Sequence, residues 1–200
     1  MTPAVLFARS DSCYKTLPCD VYDAERDART FPGGRPVVAH PPCRAWGSLS
    51  HFAKPRPDEK ALATWAVDQI RICGGVLEHP AASRLWPEKG LPEPGARDEW
   101  GGWTLPVLQF WWGHRAEKAT RLYICGIEPA QIPELPLVLG EPPCVIATSR
   151  RWLYGRRLRP VDPQYRPEVS KREREATPPA FAVWLVQLAQ RCTPPVRLAA

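Results

Sequence analysis

The sequence predicts an α/β fold built on a mostly parallel sheet. Three observations predict it. Short apolar runs recur along the chain and end in proline, acids or histidine. Two long segments carry helical apolar spacing instead. The 200 residues, 44% of them hydrophobic, suffice for one compact domain with a real core.

The first run, "AVLFA" (4–8), reads as a short buried strand, and "CDVYDAERDA" (19–28) as a second strand ending in acids. "RPVVAH" (35–40) is a third strand, stopped by Pro41 and Pro42. A helix follows in "RPDEKALATWAVDQIRICGG", capped by Asp58 and ended by Gly74 and Gly75. Its apolar face is Leu62, Trp65, Ala66, Gln69, Ile70 and Cys73. "GVLEHP" (75–80) and "RLYICGI" (121–127) are further strands, and "TPPAFAVWLVQLAQRC" (177–192) is a closing helix. Thr177 caps that helix, and Phe181, Trp184, Leu185 and Leu188 form its stripe. Residues 87–106, rich in Pro, Gly and Trp, read as a long loop, and 128–176 as irregular.

The composition narrows the function. No run of about 18 apolar residues exists, so no membrane-spanning helix is expected. The start, "MTPAVLFARSDS", lacks a basic segment followed by a long apolar one, so no signal peptide is read there. The seven cysteines are scattered singly, without a CxxC pair, and the four histidines complete no zinc spacing. That pattern predicts free thiols in a reducing cytoplasm and no metal site. The net charge of +6 is concentrated in "RRWLYGRRLRPVDPQYRPEVSKRER" (150–174). Basic residues there interleave with Trp152, Tyr154 and Tyr165, which suits either a polyanion offering bases to stack on or a solvated basic face.

In a parallel sheet, ligands sit beyond the carboxyl ends of the strands. The polar residues expected at that edge are Ser10, Asp11, Asp23, Glu25, His40, Cys43, Glu78 and His79. "HPPC" then has two readings: a strand stop followed by a packed thiol, or a stiff loop presenting Cys43 as a nucleophile, with His40 and Arg44 as basic neighbours. Glu78 reads from its position as a strand-end carboxylate in an ion pair. His79 reads as a satisfied structural histidine, and Trp111 and Trp112 as core or a stacking surface.

The order of these motifs resembles the cytosine-C5 DNA methyltransferases, in a compact phage-type form. "HPPC" matches the Pro-Cys loop that carries the family's catalytic cysteine, here Cys43. "GGVLEHP" matches the strand whose glutamate contacts the target base, here Glu78, with His79 where the family has asparagine. "QFWWGHRAEKATRLYICG" (109–126) matches a later segment and offers Gln109, His114, Arg115, Lys118 and Arg121; "TPPAFAVWL" resembles the closing turn and helix.

The resemblance implies a Rossmann-like, class I methyltransferase-like core over 1–127 and 166–200. Residues 128–165 then form a short basic DNA-contact region. It implies methyl transfer from S-adenosylmethionine to cytosine C5 through a covalent Cys43–C6 adduct. Glu78, at least partly protonated, stabilises the adduct, and Arg115 assists. Phe7, Ser10, Asp11, Asp23 and Glu25 are the implied cofactor residues. Gln109, Lys118, Arg121, Arg150, Arg151, Arg156 and Arg157 are the implied nucleic-acid contacts. The turn "FARSDS" departs from the family in lacking glycine, which hinders close backbone approach to the cofactor. That departure motivates two rival readings: the same Cys/Glu pair with another C5 electrophile, a modified base or a free nucleotide, and a non-catalytic nucleic-acid-binding phage protein. The short recognition region points to low sequence specificity, a single-stranded or nucleotide substrate, or a protein partner for target recognition.

Overall fold

The structure, a computed structural model, describes residues 1–47, 50, 53–147, 152–153 and 155–195. It is α/β, as the apolar runs predict. A six-stranded sheet contains β1 (Ala4–Leu6), β2 (Asp20–Val21), β3 (Val37–Ala39), β4 (Gly75–Pro80), β5 (Trp103–Leu108) and β6 (Ala119–Cys125). The strand order is β2-β1-β3-β4-β6-β5. The pairs β1·β2, β1·β3 and β3·β4 are parallel, whereas β6 runs antiparallel to both β4 and β5. Only β6 is therefore reversed.

The pleat of the central strands sorts side chains onto two faces. Ala4, Leu6, Val37, Ala39, Leu77, Tyr123 and Cys125 join one core cluster with helix α1 (Glu59–Cys73). Val5, Val38, Val76, Leu122 and Ile124 join the other with helix α4 (Pro179–Arg191). The sheet is thus sandwiched between these two helices. Each large apolar side chain fully removed from water there contributes roughly 1.5–3 kcal/mol.

Several expectations are met in detail and others are shifted. "GVLEHP" is β4 residue for residue. The buried line of α1 runs through Ala63, Ala66, Val67, Ile70 and Cys73, with Leu62, Trp65 and Gln69 at its margin. Asp58 occupies the N-cap of α1 without a side-chain capping bond; its carboxylate reaches Arg29 at 3.4 Å instead. Pro178, not Thr177, is the N-cap of α4. The loop expected over 87–106 ends early, because β5 begins at Trp103. Pro106 hides this strand, since proline argues against a central one; β5 lies at the sheet edge, where a missing N–H is tolerated. Residues 128–176 are mostly irregular. They hold a small hairpin of β7 (Trp152–Leu153) and β8 (Arg156–Arg157), and beyond it helix α3 (Lys171–Glu175). Helix α2 (Leu85–Glu88) is a single turn after β4. Among the described residues, no helix is long and apolar enough to cross a membrane.

The start of β4 depends on a close backbone approach. Gly75 has φ +123°, and a Cβ there would collide with the Val37 carbonyl on the neighbouring strand. Gly75→Ala is expected to lower the unfolding free energy by about 3 kcal/mol or more, read as a drop in the denaturant midpoint at unchanged slope.

Candidate active site

The strand order places a topological switch between β1 and β3, since the chain passes from β1 to β2 on one side and returns to β3 on the other. The carboxyl ends of β1, β3 and β4 converge there. Phe7 follows β1, His40 follows β3, and Glu78 lies near the end of β4. Alternation along β4 puts Glu78 on the same face as Val76, the α4 face, and His79 on the opposite one.

Glu78 is the centre of a hydrogen-bonded cluster. Its Oε2 lies 2.9 Å from His40 Nδ1, and its Oε1 accepts from Gln109 Nε2 at 3.0 Å. Tyr14 Oη lies 2.8 Å from His40 Nε2. Tyr14 arrives from the 3-10 turn Cys13–Thr16, which Ser12 caps through its side chain. The Glu78 and His40 side chains are only 14% and 12% exposed. Gln109 is fully buried and also donates to Thr120 Oγ1 at 3.1 Å, while its own Oε1 finds no partner among the described residues. Burial alone would push the Glu78 carboxyl up. The His40 hydrogen bond and the charges of His40, Lys118 and His79 outweigh it and hold the carboxyl down at about 2. Glu78 is therefore ionised in the free protein, in contrast to the partly protonated carboxyl expected from the sequence. An ionised carboxylate only accepts, so His40 Nδ1 carries the proton between them.

Cys43 follows two prolines and forms the N-cap of the 3-10 turn Arg44–Trp46. The residue is exposed, but protein surrounds enough of the thiol for burial to push it up, with the Glu78 charge adding to this and Lys118 opposing it. The basic neighbours expected for Cys43 are engaged elsewhere. Arg44 makes two 2.8 Å bonds to Glu59 on α1, and His40 faces Glu78 and Tyr14. Lys118 takes their place. Burial lowers this ammonium, and the charges of Glu78 and Cys43 raise it. Its Nζ donates to the Ala176 carbonyl at 2.6 Å, and its backbone has φ +42°, unusual for a lysine.

The other candidate residues divide clearly. Arg115 makes an ion pair with Glu173 on α3, on an exposed surface. Arg121 pairs with Glu93 at 3.1 Å and lies over the Trp86 ring, on the α1 side. Arg156 is held by Asp162 through two bonds of 2.9 and 2.8 Å. Arg157 is exposed and stands directly across the hairpin from Trp152, which is 59% exposed, so the two share a face. Arg150, Arg151 and Tyr154 lie outside the described residues. A cleft of about 330 Å³ runs from Lys118 past Cys144 and Val145 to Trp152 and Arg166.

On the cofactor side, Phe7 adopts φ +63° at the end of β1, the left-handed conformation that glycine ordinarily supplies. Asp11 pairs with Arg9 and Arg172. Asp23 accepts from the Glu25 and Arg26 amides and pairs with Lys15 at 2.7 Å. Glu25 and Ser10 are exposed. All seven cysteines are free thiols, and among the described residues no group of His, Cys, Asp or Glu is arranged to hold a metal ion. Trp112 packs against Phe181 and Trp184 in the core, which resolves its ambiguity; Trp111 packs beside it. Tyr14 carried no sequence signal, because a 3-10 turn has no periodicity to read.

Comparison with protein-family models, with curated proteins and with solved structures returned no match.

Acid titration should separate the two neighbouring groups of β4. His79 is fully buried with neither ring nitrogen partnered among the described residues, and burial lowers it to about 4. Both folded-state values lie below their unfolded ones, so both groups lose stability as pH falls. The His79 loss develops between about 6.5 and about 4. The Glu78 loss develops between about 4.5 and about 2. Urea denaturation across this range should show both, and His79→Leu should remove the first.

Proposed function

We propose that this chain modifies a pyrimidine base at C5 through a transient covalent bond from Cys43 to C6. The reading takes cytosine in DNA as the substrate and the methyl group of S-adenosylmethionine as the group transferred, on a class I methyltransferase-like core. The observation that carries it is the meeting of Cys43, Glu78 and Lys118 at the carboxyl edge of β3 and β4, beside the switch point.

The chemistry follows from the residue types. C5 of cytosine is a poor nucleophile. Attack by the Cys43 thiolate on C6 makes C5 enamine-like, and a proton delivered to N3 stabilises the adduct. Pro41 and Pro42 stiffen the loop and reduce the entropy lost in placing the sulfur. Lys118 stabilises the thiolate and opposes the effect of the Glu78 charge. Glu78 faces the ring edge, held by Gln109, which Thr120 anchors in turn. After substitution at C5, solvent takes up the C5 proton, the C5–H pair re-forms the C5–C6 double bond, and the thiolate leaves. A target base in a duplex must leave the stack to reach a site this enclosed.

The residues near β1 and β2 fit the cofactor in part. Phe7 gives the chain the path that a glycine would, and exposed Glu25 and Ser10 would hold its ribose and carboxylate ends; Asp11 and Asp23 are already committed to partners in the protein. S-adenosylmethionine bound there would supply an electrophilic methyl group. The commitment of Asp11 and Asp23 favours, as a second reading, the same covalent chemistry with another C5 electrophile. Trp152 and Arg157 on the hairpin, and the cleft leading from Lys118, suit a nucleotide strand that stacks and neutralises phosphate.

The test is covalent trapping on DNA containing 5-fluorocytosine, read by intact mass. The expected product is an adduct carrying one methyl, absent in Cys43→Ser. An adduct without methyl moves the reading to another electrophile. No adduct on DNA or nucleotide from a folded protein overturns it.

A further inference from the structure

Resting on the covalent reading, we propose that His40, held between Tyr14 and Glu78, is a proton-relay residue that charges the Glu78 carboxylate with the proton N3 of the base must receive. The chain of contacts is continuous: Tyr14 Oη to His40 Nε2 at 2.8 Å, and His40 Nδ1 to Glu78 Oε2 at 2.9 Å.

The proposal answers a problem set by the site itself. Covalent addition at C6 moves the C5–C6 π pair toward N3, and N3 then needs a proton. Glu78 is the group facing the ring, but it is ionised at rest and has no proton to give. Its Oε1 is occupied by Gln109, a neutral donor that cannot part with a proton. Its Oε2 is held by His40, whose ring nitrogen can pass a proton on.

The Cys43 proton leaves to solvent, to which the residue is exposed. The imidazolium of His40 passes its Nδ1 proton to Glu78 Oε2, and Glu78 passes a proton to N3 as the S–C6 bond forms. His40 is left neutral with the proton on Nε2, which donates to Tyr14 Oη. Tyr14 remains a phenol throughout, since burial pushes it far above neutrality, so it orients the ring without supplying the proton. When the thiolate is expelled, N3 returns its proton to Glu78 and thence to Nδ1. No oxidant or further reactant enters. Neutralising Glu78 also removes a charge that disfavours the Cys43 thiolate, so proton delivery and nucleophile activation are coupled.

Among the described residues, Cys13 and Cys19 face Tyr14, Glu59 faces Cys43 and Glu175 faces Lys118. Tyr14 faces His40 from the turn after β1 and Glu78 from β4. Cys43, Lys118, Gln109 and His79 surround Glu78 from the β3 loop, the start of β6, the turn after β5 and β4 itself.

The experiment follows the rate of adduct formation on 5-fluorocytosine DNA against pH. The wild-type rate should rise with pH as the Cys43 thiol ionises and fall again where the relay no longer delivers a proton, giving a bell. His40→Asn keeps an N–H donor at the Nδ1 position but no proton it can pass on. It should lose the falling limb and slow adduct formation about 100-fold, in line with general acid catalysis. Tyr14→Phe should shift the falling limb and keep it. Thermal melts of each variant establish folding, and His40→Gln serves if His40→Asn does not fold. A folded His40 variant with the wild-type bell overturns the relay and leaves the covalent reading standing. Absence of an adduct in the wild type overturns the covalent reading, and the relay falls with it.

Discussion

The Glu78 carboxylate, buried at the end of β4, is the group on which the site is organised. Taking a charge out of water costs several kcal/mol unless hydrogen bonds and opposite charge offset it. The protein meets that cost from four directions: His40 from the β3 end, Gln109 from the turn after β5, Lys118 from the start of β6, and Tyr14 behind His40. Removing one partner of such a cluster strands a buried charge, with a penalty of about 3–5 kcal/mol. The four segments are therefore tied to one another through a single side chain.

The sheet makes this arrangement available. Parallel β1, β3 and β4 bring their carboxyl ends to one edge, and the pleat turns Glu78 toward α4 and His79 toward α1. Reversed β6 then delivers Lys118 and Thr120 to the same edge from its amino end, which a parallel strand in that slot would not do. Arg9, Asp11 and Arg115 outside the cluster, and Lys118 within it, all contact residues 172–176, so the short α3 segment is fastened beside the site mouth.

Much of the framework was legible in the sequence. Apolar runs closed by proline or acid located β1, β3 and β4, and helical periodicity located α1 and α4. The sequence also brought Cys43, Glu78 and Gln109 into view. What it did not reveal has specific causes. Strand β5 was hidden by Pro106, acceptable only because the strand is an edge. Tyr14 sits in a turn without periodicity. The resemblance offered Lys118 and Gln109 as nucleic-acid contacts; that they also stand beside Glu78 depends on reversed β6 and the turn after β5, which no linear pattern records. Arg44 was expected beside Cys43, but the α1 N-terminus presents Glu59, a bidentate partner that an exposed thiol cannot match. The ionisation of Glu78 could not be read either, because it depends on partners up to 40 residues away in sequence, Lys118 the farthest.

The central claim is that Glu78 rests as a buried carboxylate held by His40. A carbon-13 NMR titration of the glutamate carboxyls, with Glu78→Gln assigning the resonance, tests it most directly. The Glu78 carbon should keep the shift of an ionised carboxylate well below pH 4, reaching its midpoint at about 2. A midpoint at or above the ordinary glutamate value of about 4.3 would contradict the account, since His40 and Lys118 would then not be holding the charge in place.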